Sequence, residues 1–199
     1  MFIHQLTDPN ACATLTKLCF LTALSSRDPG KGSAHEASES FKKISNLAVE
    51  AIDYCEQEML GRLITTFLAG ESVNWSRYGK LITDFFSEEV KPVLPSSEFF
   101  EHLSEGVREV IYFDIATKIL KNMVEKGEFT FCPTQMKKLF FFECCVMSYA
   151  DGMCSENEKR FLRLIGEVFG LGNASCEELT ELAIRYIEVF TEAADIISE

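Results

Sequence analysis

Two carboxylates, a glycine and a serine at fixed spacing are the residues of this chain best suited to chemistry: Asp151-Gly152-x-x-Ser155-x-x-Glu158. Carboxylate oxygens are ligands for hard cations, which require several of them. Glu156 and Asn157 add two more oxygen-bearing side chains to the same turn. The motif also has a purely structural reading. Ser155 and Glu158 form a Ser-x-x-Glu capping box ahead of an apolar periodic run. Gly152 supplies the positive φ that a tight reversal between helices often needs. Asp151 stands just before the positive end of a helix dipole, where a carboxylate is stabilised. The alternating Asp/Asn ladder and distal glutamate of an EF-hand are missing, so a cation here needs oxygens from a second loop.

The sequence offers one. Asp28-Pro29-Gly30-x-x-Ser33-x-x-Glu36 repeats the pattern with one inserted proline. Each motif follows an apolar helix and precedes another, as in a diverged duplication of a helix–turn–helix unit. The weak first unit covers about residues 10–70 and the clear second unit about 134–196. If the units pack about a pseudo-twofold axis, Asp28 and Asp151 face one cleft. Asp28 and Asp151 are then expected to give oxygens to a divalent cation, calcium, magnesium or zinc. Chance similarity between two capping sequences is the competing explanation.

These loops must be positioned by helices. Apolar residues recur at three- and four-residue steps and strand-like alternation is scarce, which predicts an all-α bundle of about seven or eight helices. A first helix is expected over Asn10–Ser25. The stripe Phe41, Ile44, Ala48, Ala51, Ile52, Cys55, Met59 and Leu63 predicts one long helix, or two broken near Gly61. Tyr78 to Phe86 marks another, ending before Lys91-Pro92, and the next opens near Ser96. From Val107 to Val124 apolar residues occupy more than one face, which predicts the central buried element. Gly127 stops it, Pro133-Thr134 opens the helix of the Phe140–Phe142 run, and Ser155 opens the following one. Ser175 is expected to start the last, with Leu179, Leu182, Ala183, Tyr186, Ile187 and Phe190 on one face.

The segment Tyr149-Ala150-Asp151-Gly152, Ser155, Glu158, Phe161-Leu162, Ile165 and Phe169-Gly170-Leu171 resembles the TerB-like family. That family includes tellurite-resistance proteins and the helical domain of some membrane-bound DnaJ-type co-chaperones. The resemblance covers about 40 residues. It implies two related helical halves and a non-enzymatic role in bacterial stress response, linked to metal ions and to the membrane periphery through partners. Carried over by position, Asp151 and Glu158 would be the family's acidic loop residues, and Asp28 and Glu36 would match through the first loop. Pro29 and Gly30-Lys31-Gly32 depart from the family pattern, and no DnaJ segment or membrane anchor accompanies the motif.

With 199 residues the chain fits a single domain, and its 17 phenylalanines supply ample core. A net charge of −12 repels nucleic-acid backbones and favours cations or basic protein partners. From Glu177 onward there are seven acidic residues and one basic residue. The eight cysteines contain no Cys-x-x-Cys pair, which argues against a zinc ribbon. No secretory signal and no apolar run of membrane-spanning length is seen. A reducing cytoplasm and mostly buried cysteines are expected.

Other residues carry alternatives. His4, His35 and His102 lie far apart, and only His35, beside Glu36 and Glu39, invites a ligand role. Cys144-Cys145 read as core thiols. Cys154, just before a helix N-terminus, is where a thiolate is favoured. Asp114 and Glu143 sit among apolar neighbours; each is expected at the polar edge of its helix. Trp75, Phe99 and Phe100 are expected under a loop, the alternative being that they line a partner groove. The leading reading is a non-enzymatic binding or adaptor module whose acidic helical surface docks a protein partner. The alternatives are a small all-α enzyme using Asp114 or Glu143 as base, and a structural domain that forms homo-oligomers through its Phe-rich surface.

Overall fold

The computed structural model describes residues 6–26, 54–69, 75–95, 99 and 102–198. They are all-α, with seven α-helices. These are α1 (Pro9–Ser25), α2 (Tyr54–Ala69), α3 (Trp75–Asp84), α4 (Glu105–Glu125), α5 (Thr134–Ser148), α6 (Glu156–Phe169) and α7 (Asn173–Ser198). A π-helical segment, Phe85–Val90, continues α3.

The centre of the bundle is α1, not α4. Asp8 caps its start, accepting from the Ala11 N–H, and Pro9 enters the first turn, where its missing N–H costs nothing. Every residue from Ala11 to Ser25 is buried, and α1 packs against α2, α3, α4, α5 and α6. The polar residues on it find partners within the core. Thr16 and Thr22 donate to the carbonyls of Cys12 and Leu18 at 2.9 Å, and Ser25 to Thr22 at 2.7 Å. Such back-bonding hides a hydroxyl inside a helix. Lys17 reaches Glu128, in the loop after α4, at 2.8 Å, and its ammonium lies 5.3 Å from the Phe85 ring centroid.

The sequence expectation for α4 fails on one side only. Tyr112, Phe113, Ala116, Ile119, Leu120 and Met123 face the core, while Val107, Val110 and Val124 face solvent. β-Branched residues on an exposed helix face mimicked an all-round apolar helix. The alternative break at Gly61 is also overturned, since α2 runs through it unbroken. The part of that stripe before Tyr54, and the proposed helix start at Ser96, lie outside the described residues.

Around α1 the aromatic residues interlock edge to face. Phe20 meets Phe86 at 4.8 Å and Phe85 at 6.2 Å between centroids. Phe169 meets Phe129 at 5.3 Å. On the other side α5 is buried over nine consecutive residues, Phe140–Ser148, between α1 and the C-terminal helices α6 and α7. Gly127, at φ +72°, turns the chain after α4, as its sequence position predicts.

Candidate functional site

The turn singled out in the sequence joins α5 to α6. Tyr149 ends α5, and the Gly152 N–H donates back to the Tyr149 carbonyl at 3.0 Å. Gly152 has φ +85°, a conformation an L side chain resists. The Asp151 carboxylate, exposed to solvent, accepts the Met153 N–H at 3.0 Å. The capping box is complete: the Glu158 N–H donates to Ser155 Oγ at 3.1 Å, and Glu158 Oε2 accepts the Ser155 N–H at 2.7 Å.

The two carboxylates of the turn therefore live in different surroundings. Asp151 stands in water. Glu158 is 4% exposed. Burial pushes its carboxyl up to about 7, and the nearby Asp151 charge adds to this. Hydrogen bonds from the Ser155 backbone and hydroxyl, and from the Ser26 hydroxyl, pull the other way without reversing it. Glu158 thus titrates near neutrality at a helix N-terminus.

The Ser26 contact was not anticipated from sequence. Ser26 is the C-cap residue of α1, two positions before Asp28 in the chain. Its hydroxyl donates to the Ala23 carbonyl at 3.1 Å and lies near enough to the Glu158 carboxyl to favour its ionised form, in keeping with the packing of α1 against α6. A serine directly after a helical stripe and two residues ahead of the predicted acidic loop was the available cue. Asp28 and Glu36 themselves lie outside the described residues, as do His4 and His35. Among the described residues no group of three or more His, Cys, Asp or Glu side chains is gathered tightly enough to hold a metal ion.

Cys154 departs from its expectation. Burial and the Glu158 charge push its thiol up to about 12, outweighing Lys159 and the Tyr149 and Ser148 hydrogen bonds. It is a protonated thiol, not a helix-activated thiolate. With Tyr149 and Cys176 it lines a cleft of about 650 Å³ between α6 and α7. Gly166 narrows that junction, since a Cβ there would lie 2.9 Å from Cys176 Sγ. Five of the other described thiols match the expected core role, while Cys176 is half-buried. Cys12, Cys19, Cys132, Cys144 and Cys145 are buried, and all seven described cysteines are free. The Cys19 thiol is driven well above its ordinary value by its hydrogen bond with Cys144 and by burial.

Asp114 and Glu143 do not share a pocket. Asp114 is exposed, in a groove between α4 and the π segment where Glu89 already holds Asn122 at 3.0 Å and Lys126 at 3.1 Å. Glu143 corrects its expectation: it is 2% exposed within α5, not at a polar edge. Nine consecutive buried positions leave that helix no polar edge there. Phe99 is half-exposed rather than packed under a loop; the Trp75 side chain and Phe100 lie outside the described residues.

No helix among the described residues is long and apolar enough to cross a membrane. Comparison of the chain with protein-family models, curated proteins and solved structures finds no match.

Proposed function

We propose that this protein is a non-enzymatic helical binding module whose working end is the junction of the α1 exit with the Tyr149–Glu158 turn. It takes a divalent cation there (calcium, magnesium or zinc), and its acidic helical surface docks a protein partner. Asp151 is the solvent-facing oxygen donor. By the sequence pattern, Asp28 and Glu36 supply oxygens from the first loop. Glu158 holds the α6 entry and responds to charge placed beside it. The TerB-like resemblance of Tyr149–Leu171 adds the biological setting, a bacterial stress response of the tellurite-resistance kind.

One observation supports the reading above the others: α1 packs against α6, and its C-cap residue Ser26 lies near the Glu158 carboxyl, so the chain leaves α1 close to the Asp151 turn. A hard cation needs more oxygens than one turn offers, and a second acidic loop is the simplest source. A cation at this end also relieves the Asp151–Glu158 repulsion, so binding stabilises the fold by linkage.

Thermal melting with and without millimolar calcium, magnesium and zinc tests this. The wild type gains stability with at least one ion, and Asp151→Asn gains none. Equal gains in both proteins would remove Asp151 from the site, and no gain with any ion would remove the site.

A further inference from the structure

The outer side of α7 differs from the side that joins it to the bundle. Leu179, Tyr186 and Ile187 pack against the core beside the buried Ala183. The Tyr186 ring meets Phe142 at 6.1 Å and stacks on Phe190 at 6.4 Å, and Arg62 of α2 lies 5.5 Å from the Phe190 centroid. Leu182, Val189 and Ile196 follow one another at seven-residue steps on the other side, 43%, 66% and 67% exposed. The sequence expectation that Leu182 and Phe190 join Ala183 on one covered face is overturned by the same observation, Phe190 being 51% exposed. At about 100° per residue, Ala183 lies roughly a third of a turn to one side of the exposed line. Glu181, Glu188 and Glu192 fall on the opposite flank, and Glu178 continues the line toward the helix start; all four are exposed. Arg185, on the same flank, is the only basic residue of α7.

We propose that this face receives an amphipathic helix of a protein partner, basic along one edge. The inference deepens the docking half of the proposed function and rests on it; the cation site plays no part. Two observations decide the chemistry. The first is the line of anchors. Apolar side chains two turns apart match the spacing at which one helix lies along another, and Leu182 to Ile196 extends over roughly 21 Å. The second is the direction of approach. The flank marked by Ala183 is packed against the body, chiefly α5. A helix resting on Leu182, Val189 and Ile196 therefore leans over the carboxylate flank. There it meets Glu181, Glu188 and Glu192, with Glu178 at one end, against the single positive charge of Arg185. A neutral edge would strip water from carboxylates without replacing it, and an acidic edge would set like charges together. Lysine and arginine edges turn both penalties into attraction, and their long apolar stems extend the contact beside Val189. A second copy of α7 would bring the same acidic flank and is disfavoured for that reason.

Fluorescence anisotropy of the full chain with three labelled peptides, each about five helical turns long, tests it. The first carries leucines on one face and lysines along its edges. The second has glutamates in place of the lysines, and the third has serines in place of the leucines. The wild type binds the leucine–lysine peptide at least about tenfold more tightly than either of the others. Val189→Ser combined with Ile196→Ser weakens that binding about tenfold, whereas Val110→Ser, at an equally open position on α4, leaves it unchanged. Glu181→Gln, Glu188→Gln and Glu192→Gln together weaken it about tenfold and flatten its dependence on salt. Helical circular dichroism is unchanged in all three variants, because every substituted position is exposed. Binding indifferent to the Val189 and Ile196 substitutions, or equally weakened by Val110→Ser, overturns the α7 face. A preference for the leucine–glutamate peptide overturns the basic partner and leaves the docking reading standing. Failure of all three peptides to bind overturns the proposal together with that reading.

Discussion

Helices α1 and α7 are both rich in apolar residues, yet the bundle treats them oppositely. α1 is closed on all sides, and even its lysine is neutralised inside by Glu128. α7 touches the body along one stripe, mainly through α5, and leaves Val189 and Ile196 in water. The difference teaches where each helix does its work. A helix buried on every face is a scaffold whose side chains are fixed by packing. One that keeps large apolar side chains in solvent, among acidic neighbours, is fixed to the body along one side only. Between these extremes lies the Tyr149–Glu158 turn, where one carboxylate belongs to the scaffold and its neighbour to the solvent.

The contrast breaks most visibly under truncation. Phe20→Ala, in α1, should destabilise the fold by about 3–5 kcal/mol, since it empties the space between Phe85 and Phe86. Val189→Ala, in α7, should stay within about 0.5 kcal/mol in the monomer. Chemical denaturation of both variants checks this; comparable losses would mean that α7 is packed into the core no less firmly than α1.

A smaller effect concerns the charge inside α1. Glu128→Gln leaves the Lys17 ammonium buried beside a neutral partner and should cost about 2–3 kcal/mol. Adding Lys17→Met should recover most of that loss, because an apolar chain of similar length fills the same space. If the double variant is no better than the single one, the cost lies in something other than an unpaired charge.

An effect of similar size, spread over pH, separates the carboxylates of the turn. Glu158 titrates at about 7 in the folded protein against 4.5 in the open chain. Between those values the native state holds a proton that the unfolded state has released. Its contribution is thus complete below pH 4.5 and is lost as pH rises through 7, a swing of about 3 kcal/mol. Glutamine can still serve a capping box but cannot ionise. The stability of wild type relative to Glu158→Gln should therefore fall by roughly that amount between pH 4.5 and pH 8. A difference independent of pH would mean that Glu158 is ionised throughout.

Much of this architecture was legible in the sequence. Ser155-x-x-Glu158 announced a capping box, and both of its hydrogen bonds are present. Gly127 and Gly152 marked turns and take positive φ. What the sequence concealed was which helix lies in the middle. Nothing around Lys17, Thr16 and Thr22 marked α1 as the central helix, because no linear pattern records that Glu128 and local carbonyls will absorb those polar groups. In α4 the reverse happened, as exposed valines imitated a buried face. At the site, the cap and the Gly152 turn were visible, but the split between a buried Glu158 and an exposed Asp151 was not. That split depends on how α6 packs against α1, α4 and α5, long-range contacts that spacing alone does not encode.

The central claim is that the α1 exit and the Asp151 turn form one cation-responsive end, and calorimetric titration with calcium, magnesium and zinc at pH 7, in two buffers of different ionisation enthalpy, addresses it most directly. A cation beside Glu158 favours its ionised form, so binding should release about half a proton from the wild type and none from Glu158→Gln. Binding that releases no proton from either protein, or no binding heat with any of the three ions, would contradict the account.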